Sequence, residues 1–134
     1  MNDTRSLNLA MRRELDLGYD EALTRVTEAL KSEGFGVLTE IDVAATLKAK
    51  IDVDFRRYKI LGACNPPLAH QALSANLEVG VMLPCNVVVY EADDGKAVVL
   101  AVDPTKTIAA AGVDALATLA ATVRDKLSRA IQKV

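Results

Sequence analysis

The sequence predicts an α+β domain in which two long helices cover a five-stranded, mainly antiparallel sheet, with short helices between the strands. Two stretches, residues 20–34 and 116–134, carry apolar side chains three and four positions apart, which is the spacing of one helix face. Five short apolar or alternating segments elsewhere favour strands. Between the last two of them stands Asp94-Gly95, which is typical of a tight hairpin and makes those strands antiparallel neighbours.

The first part of the chain predicts a strand followed by a long helix. Residues 1–11 are polar and have no clear period, so we expect them to fray and residues 12–134 to form one domain. Residues 12–17 alternate charged residues with Leu, which suits an edge strand. Asp20 is the predicted N-cap of the helix. Gly34 ends that helix, because a residue without Cβ readily adopts positive φ.

The middle of the chain predicts short strands that alternate with short helices. Residues 35–41 form the second strand, after which Asp42 caps a short helix. Residues 58–64 form the third strand. The run Asn65-Pro66-Pro67 then opens another helical turn, because proline suits the first helical position, where its missing N–H would have no partner.

The last part of the chain predicts a hairpin followed by the longest helix. Residues 80–91 are strand-like but contain Pro84, which implies an edge or a bulge. Residues 96–102 pair back onto them, and Asp103-Pro104 breaks this fifth strand. The apolar stripe over residues 116–134 predicts a helix of about five turns that packs on the sheet.

Composition excludes several classes of protein. The chain has 134 residues, 51% hydrophobic and 25% charged, which describes one folded domain. Its 16 basic and 18 acidic residues leave no basic surplus, so we expect no nucleic-acid partner. The longest wholly apolar run, residues 97–102, is far shorter than the roughly 20 residues that span a bilayer. With no secretory leader pattern either, we expect a cytoplasmic protein that does not enter a membrane.

Three sequence stretches together resemble a known family. They are Gly34-Phe35-Gly36-Val37-Leu38-Thr39-Glu40-Ile41-Asp42, Ile60-Leu61-Gly62-Ala63-Cys64-Asn65-Pro66 and Leu83-Pro84-Cys85-Asn86-Val87-Val88-Val89. This combination resembles the family catalogued as domain of unknown function 302, over about Leu15 to Ile131. The resemblance implies a TBP-like arrangement of strand, helix, four strands and helix, and a homodimer. It does not imply DNA binding, because the likeness to TBP is architectural and this chain is acidic, and the family has no established activity that carries over.

The two Cys-Asn pairs are the strongest candidates for a binding site. The first hypothesis is therefore a non-enzymatic or weakly enzymatic homodimer that binds a small molecule or a partner between walls of Cys64, Asn65, Cys85 and Asn86. The two amides supply both donors and acceptors, and equally suit turns that stabilise two kinks. No cofactor is predicted.

A local excess of basic residues adds Lys59 and Glu40 to this candidate site. Lys59 belongs to a cluster that could draw an anion toward Cys64, although a solvated face is the plainer interpretation. Glu40 would pair with Lys59 if their strands are neighbours, which is the structural alternative. The cluster comprises Lys48, Lys50, Arg56, Arg57 and Lys59.

The second hypothesis is a thiol-dependent sulfur-transfer, redox or soft-metal protein that uses Cys64 and Cys85. Cys64 lies before a predicted helix N-terminus, which favours a thiolate nucleophile. His70 and Met82 are weak additional soft-metal ligands, and His70 suits a solvated helix position equally well. Both cysteines could instead be small buried hydrophobes, and their spacing matches no zinc or Cys-x-x-Cys motif. A third hypothesis is a purely structural interaction domain, with large apolar dimer burial and no pocket.

Overall fold

The computed structural model describes residues 7–134, which fold into an open sheet with helices. Residues 1–6 of the segment expected to fray lie outside the described residues. In chain order, the elements are β1 (Ala10–Gly18), α1 (Tyr19–Ser32), β2 (Gly36–Asp42), α2 (Val43–Ile51), β3 (Tyr58–Cys64), α3 (Pro66–Ala75), the 3-10 helix η1 (Leu77–Met82), β4 (Cys85–Glu91), β5 (Lys96–Val102), α4 (Pro104–Thr107), the 3-10 helix η2 (Ala109–Ala111) and α5 (Asp114–Gln132).

The sheet is five-stranded and antiparallel, with the order β1-β5-β4-β3-β2. This confirms the predicted α+β class and antiparallel sheet, while the TBP-like comparison stays a prediction. The Asp94-Gly95 turn joins β4 to β5 as predicted, and Gly95 takes a φ of +82°. The Cys-bearing strands β3 and β4 are neighbours near the middle of the sheet, which the hairpin alone could not decide.

The core lies between one face of the sheet and helices α1 and α5. Alternate residues of the strands, such as Leu61, Val87 and Val99, are fully buried there against the apolar stripes of both helices. Arg13 ties the edge strand β1 to α5, because its guanidinium donates hydrogen bonds to the carbonyls of Ile131, Gln132 and Val134 at 2.8–2.9 Å. These carbonyls end the helix and would otherwise lack partners.

The opposite face of the sheet, here named the outer face, carries an apolar row across four of its strands. Ile41, Ile60, Val88 and Leu100 stand directly opposite one another across four strands, and none of them is buried. Ile41 is 49% exposed. An antiparallel sheet with one solvated face normally alternates apolar and polar residues, so an apolar row on that face is unusual.

Near the N-terminus, β1 and α1 both begin earlier than the sequence predicts. Ala10 and Met11 pair with Val102 and Ala101, so β1 begins inside the segment expected to fray. Helix α1 begins at Tyr19 with Gly18 at its N-cap, and Asp20 lies in the first turn rather than at the cap. The buried ring of Tyr19 accounts for the earlier start, since packing against the core fixes that turn.

The largest difference concerns residues 80–91, which were predicted as one interrupted strand. Residues 77–82 instead form η1, and β4 begins only at Cys85, after Pro84. The Asn76 side chain accepts a hydrogen bond from the Glu78 N–H at 2.8 Å and so caps η1. Within this segment Val79 is buried in a hydrophobic core, and this burial favours the helical turn over an extended strand.

A second, smaller core went unpredicted, because its elements carry weak local signals. It joins α3, η1, the segment around α4 and the first half of α5 through Ala72, Val79, Ile108, Leu116 and Ala120. This second core supports the wall of the cavity described below.

Asp103 joins this region to α5 and caps α4. Its carboxylate accepts hydrogen bonds from the Thr105 N–H and hydroxyl and from Arg124 Nε. Burial alone would raise the pKa of Asp103, but these hydrogen bonds outweigh it and hold the pKa below its ordinary value. Within residues 7–134, no helix combines the length and the apolar composition needed to cross a membrane.

Candidate functional site

An apolar cavity of about 310 Å³ lies at the end of the sheet where β3 finishes and β4 begins. Its floor comes from the ends of β2, β3 and β4, and its walls come from α3, α5 and the segment that precedes β4. The cavity is open to solvent on one side. The lining includes Phe35, Ala63, Cys64, Asn65, Leu68, Ala69, Leu83, Cys85 and Val123.

The two cysteines reach this cavity because their strands are antiparallel neighbours. Ala63 is directly opposite Cys85 in the register of β3 and β4, and Cys64 follows Ala63 at the end of its strand. Both thiols are free. Cys85 is only 6% exposed, whereas Cys64 is half-buried. The prediction that these residues could meet depended on this strand order.

The environment of Cys85 makes its side chain a neutral wall of the cavity. Burial raises the pKa of the Cys85 thiol to about 11, and the nearby Cys64 adds to that rise. At pH 7 a thiol with that pKa is ionised in roughly one molecule in ten thousand. Since the thiolate is the nucleophile and the metal ligand, Cys85 behaves at neutral pH as a small hydrophobe.

Asn65 lines the cavity but also holds two helices together. Its Nδ2 donates to the Glu33 carbonyl at the end of α1, and its Oδ1 accepts from the Leu68 N–H at the start of α3. Gly34 lies so close that an added Cβ would stand 2.9 Å from Nδ2, and its φ of +86° also favours glycine. The structure therefore gives the Asn65 amide the turn-stabilising role that the sequence left open.

Asn86 lies on the other side of the sheet from Cys85 and is not among the residues that line the cavity. It is directly opposite Gly62 and exposed. Successive residues of a strand point to opposite faces, so Cys85 and Asn86 could not share one site in regular β structure. Cys64 and Asn65 both line the cavity because β3 ends between them. This alternation was readable from the sequence.

Lys59 and Glu40 form an ion pair with each other, away from the cavity. The hydrogen bond to Glu40 is the main cause that raises the pKa of Lys59. Three other basic residues of the predicted cluster also have acidic partners: Lys48 with Asp52 and Asp54, Arg56 with Asp93, and Arg57 with Asp20 and Glu91. The cluster is therefore largely neutralised by its own neighbours.

His70 and Met82, the weak metal candidates, do not join the cysteines. His70 is exposed on α3, and Met82 packs against the second core; neither lines the cavity. Across residues 7–134, no three His, Cys, Asp or Glu side chains are grouped in a way that would hold a metal ion.

A close approach between strands shapes the floor of the cavity. The register of β2 shifts between Val37 and Thr39, and this irregularity brings Thr39 opposite Gly62. The Thr39 hydroxyl then occupies the space that a side chain at Gly62 would need, and Pro84 Cγ lies 2.9 Å from the same point. Both Thr39 and Pro84 line the cavity.

The cavity offers apolar contact rather than acid–base chemistry. None of its lining residues in the described part of the chain is charged. Sequence reasoning missed most of the wall, including Leu38, Leu68, Leu73 and Leu83. The apolar stripe of α5 did contain a usable signal, since Leu119 and Val123 belong to it and line the cavity.

Comparison with known proteins places this chain in a family. A family model described as "Domain of unknown function DUF302" matches residues 11–134. The chain is also similar to the crystal structure of an uncharacterized conserved DUF302 protein from Bacillus stearothermophilus, with a TM-score of 0.87 and 33% identity over 95% of this chain and 98% of that chain. No curated protein matches. The chain belongs to the DUF302 family, as its Cys-Asn-Pro and Pro-Cys-Asn stretches indicated.

Proposed function

We propose that this domain binds a small molecule in the cavity between Cys64 and Cys85, and that it does so as a homodimer. The observation that carries the proposal is the cavity itself, which forms where the two cysteine-bearing strand ends meet. Its volume of about 310 Å³ reaches the lower end of the range typical of ligand sites, roughly 300–1,000 Å³. Its largely apolar lining with two polar groups also fits such sites.

Within this proposal, the site contains fewer of the predicted residues than the sequence suggested. Cys64, Asn65 and Cys85 form part of its wall. Asn86 faces away, and Lys59 and Glu40 are occupied by their own ion pair. We therefore assign none of these last three residues to the ligand.

The homodimer is supported by the outer face of the sheet. Ile41, Ile60, Val88 and Leu100 form an apolar row that a second copy could cover. A two-fold symmetric interface places the same patch on both subunits, so an apolar row is self-complementary. The order of strand, helix, four strands and helix also supports the TBP-like prediction when the short helices are set aside. The cytoplasmic location rests on sequence alone.

The thiol-dependent alternative has less support. It names Cys64 as the nucleophile with Cys85 as the second reactive thiol, and burial keeps Cys85 in the thiol form at neutral pH. His70 and Met82 do not support this alternative either, because neither residue lines the cavity that Cys64 and Cys85 share.

The proposal is tested by a fragment screen observed in ¹H–¹⁵N NMR spectra of the whole chain. Fragments that bind should shift amide signals of α3 and of the β3–β4 ends. Ala69→Leu, which adds bulk to the cavity wall, should abolish these shifts. Ala121→Leu, the same change at an exposed position of α5, should preserve them. Binding that Ala69→Leu leaves intact, or no binding at all, would overturn the proposal.

A further inference from the structure

We infer that the ligand of this cavity is an uncharged, hydrocarbon-like molecule of about a dozen carbon atoms. The inference rests on the proposed function and deepens it, because it names the chemical class of ligand. Three properties of the cavity support it: the chemistry of its lining, its volume and the nature of its opening.

Among residues 7–134, no lining side chain could compensate a buried charge. These side chains end in carbon or sulfur apart from the Thr39 hydroxyl and the Asn65 amide, and none of them is charged. The Asn65 amide already bonds to the backbone at Glu33 and Leu68. A carboxylate, phosphate or ammonium that entered would lose its hydration without a partner of opposite charge, which is strongly unfavourable.

The volume sets the size of the ligand. An apolar protein cavity of about 150 Å³ binds benzene, which has six carbons. The present cavity, of about 310 Å³, is roughly twice that size and so accommodates about twelve carbons. A fused two-ring aromatic molecule or a medium-length alkyl chain meets this limit.

The opening is apolar as well. Leu38 is 66% exposed and Leu73 is 36% exposed, yet both contribute to the lining, so they lie where the cavity meets solvent. A ligand that enters here passes apolar side chains. The thiols of Cys64 and Cys85 lie at the strand ends that form the floor and add polarisable surface that suits an aromatic ring.

The test compares two probes of nearly the same shape. 2-Methylnaphthalene is uncharged, whereas 2-naphthoate carries a carboxylate on the same ring system. We expect NMR titration of the whole chain to give a dissociation constant at least about ten-fold lower for 2-methylnaphthalene. Two variants locate the site. Ala69→Leu should weaken this probe about ten-fold, and Ala121→Leu should leave it unchanged.

A second pair of variants covers the case in which Ala69→Leu fails to fold. Leu38→Asp places a charge at the opening of the cavity, on a side chain that is 66% exposed. It should also weaken 2-methylnaphthalene about ten-fold, because a charge beside an apolar ligand loses hydration. Leu77→Asp, at a position 85% exposed and outside the lining, is its matched control and should have no effect.

The outcomes separate this inference from the proposed function. Equal or tighter binding of 2-naphthoate would overturn the inference, and so would weak binding of both probes while other fragments bind the cavity; the proposed function would survive either result. If neither the probes nor any fragment binds in a manner sensitive to Ala69→Leu and Leu38→Asp, both fail together.

Discussion

Gly62→Ala should destabilise the domain by crowding two neighbouring side chains at the floor of the cavity. The new methyl group would meet the Thr39 hydroxyl, and Pro84 Cγ would stand 2.9 Å away. The Thr39 hydroxyl, on the neighbouring strand, can move away only if the side chain changes its χ1 rotamer, whereas the Pro84 ring is closed onto its own backbone and cannot rotate away. Gly62 itself does not have a positive φ. The expected loss therefore comes from crowding rather than from backbone strain.

The size of this loss follows from two opposing effects. Forcing an extra methyl group into a packed region costs about 1–3 kcal/mol. Replacing Gly by Ala within a strand returns roughly 0.5–1 kcal/mol, because the unfolded chain loses conformational freedom. Because the new methyl group would meet two neighbours at once, the cost lies in the upper part of its range, and we expect the free energy of unfolding to fall by about 1–2 kcal/mol in net terms.

A double-mutant cycle isolates the contact. Thr39→Ala removes the hydroxyl, and because Thr39 is exposed this variant alone should change the free energy of unfolding by less than about 0.5 kcal/mol. In the double variant, about 1 kcal/mol of the loss from Gly62→Ala should be recovered. Urea unfolding followed by circular dichroism measures all four proteins. Wild-type stability in Gly62→Ala, or a loss that Thr39→Ala does not relieve, would refute this account of the contact.

Three further predictions concern a thiol, a carboxylate and the outer face. Because burial raises the pKa of Cys85 to about 11, its alkylation in Cys64→Ser protein should be slow at pH 7 and accelerate until about pH 11; rapid labelling at pH 7 would contradict that burial. Burial opposes ionisation of the Asp103 carboxyl, but the hydrogen bonds to the carboxylate prevail and lower the pKa of Asp103 in the folded protein. The stability that the ionised carboxylate contributes should therefore be present above the ordinary pKa of 3.8 and disappear as pH falls through the lower folded-state pKa. The free energy of unfolding of Asp103→Asn, measured with urea, should then depend less on pH in that acidic range than that of the wild type. An equal pH dependence in the two proteins would refute the lowered pKa of Asp103. The wild-type protein should have a mass of about 28.6 kDa by light scattering, which is twice 14.3 kDa. Leu100→Lys on the outer face should reduce this mass to the monomer value, and the control Leu77→Lys should leave it unchanged. A wild-type mass of 14.3 kDa would exclude the dimer.

Much of the fold followed from local rules. The Asp94-Gly95 hairpin, the cap at Asp42, the helix that Asn65-Pro66-Pro67 opens and the stop at Gly34 each appear where they were predicted. These features depend on a few adjacent residues, whose backbone preferences act without help from distant parts of the chain. Local rules did not predict the structure of residues 80–91 correctly. Burial of Val79 favours a 3-10 helix there, and the sequence contains no strong local signal for that helix.

The candidate site was harder to predict because it depends on which strands are neighbours. The sequence identified Cys64, Asn65 and Cys85, but it could not show that their strand ends meet. Strand alternation would have separated Asn86 from Cys85. The basic cluster was predicted as part of the site because of its local excess of positive charge. Acidic partners distant in the chain, such as Asp20 and Asp93, neutralise much of that charge, and the sequence could not show that they lie nearby.

The sequence by itself determined the class of the domain, the family and the positions of several turns and caps, because periodicity, caps and turns are properties of short segments. The tertiary structure decided the cavity and the apolar outer face. Both depend on the order β1-β5-β4-β3-β2, which brings residues far apart in the chain side by side. That order results from packing the whole sheet against α1 and α5, and no single segment contains it.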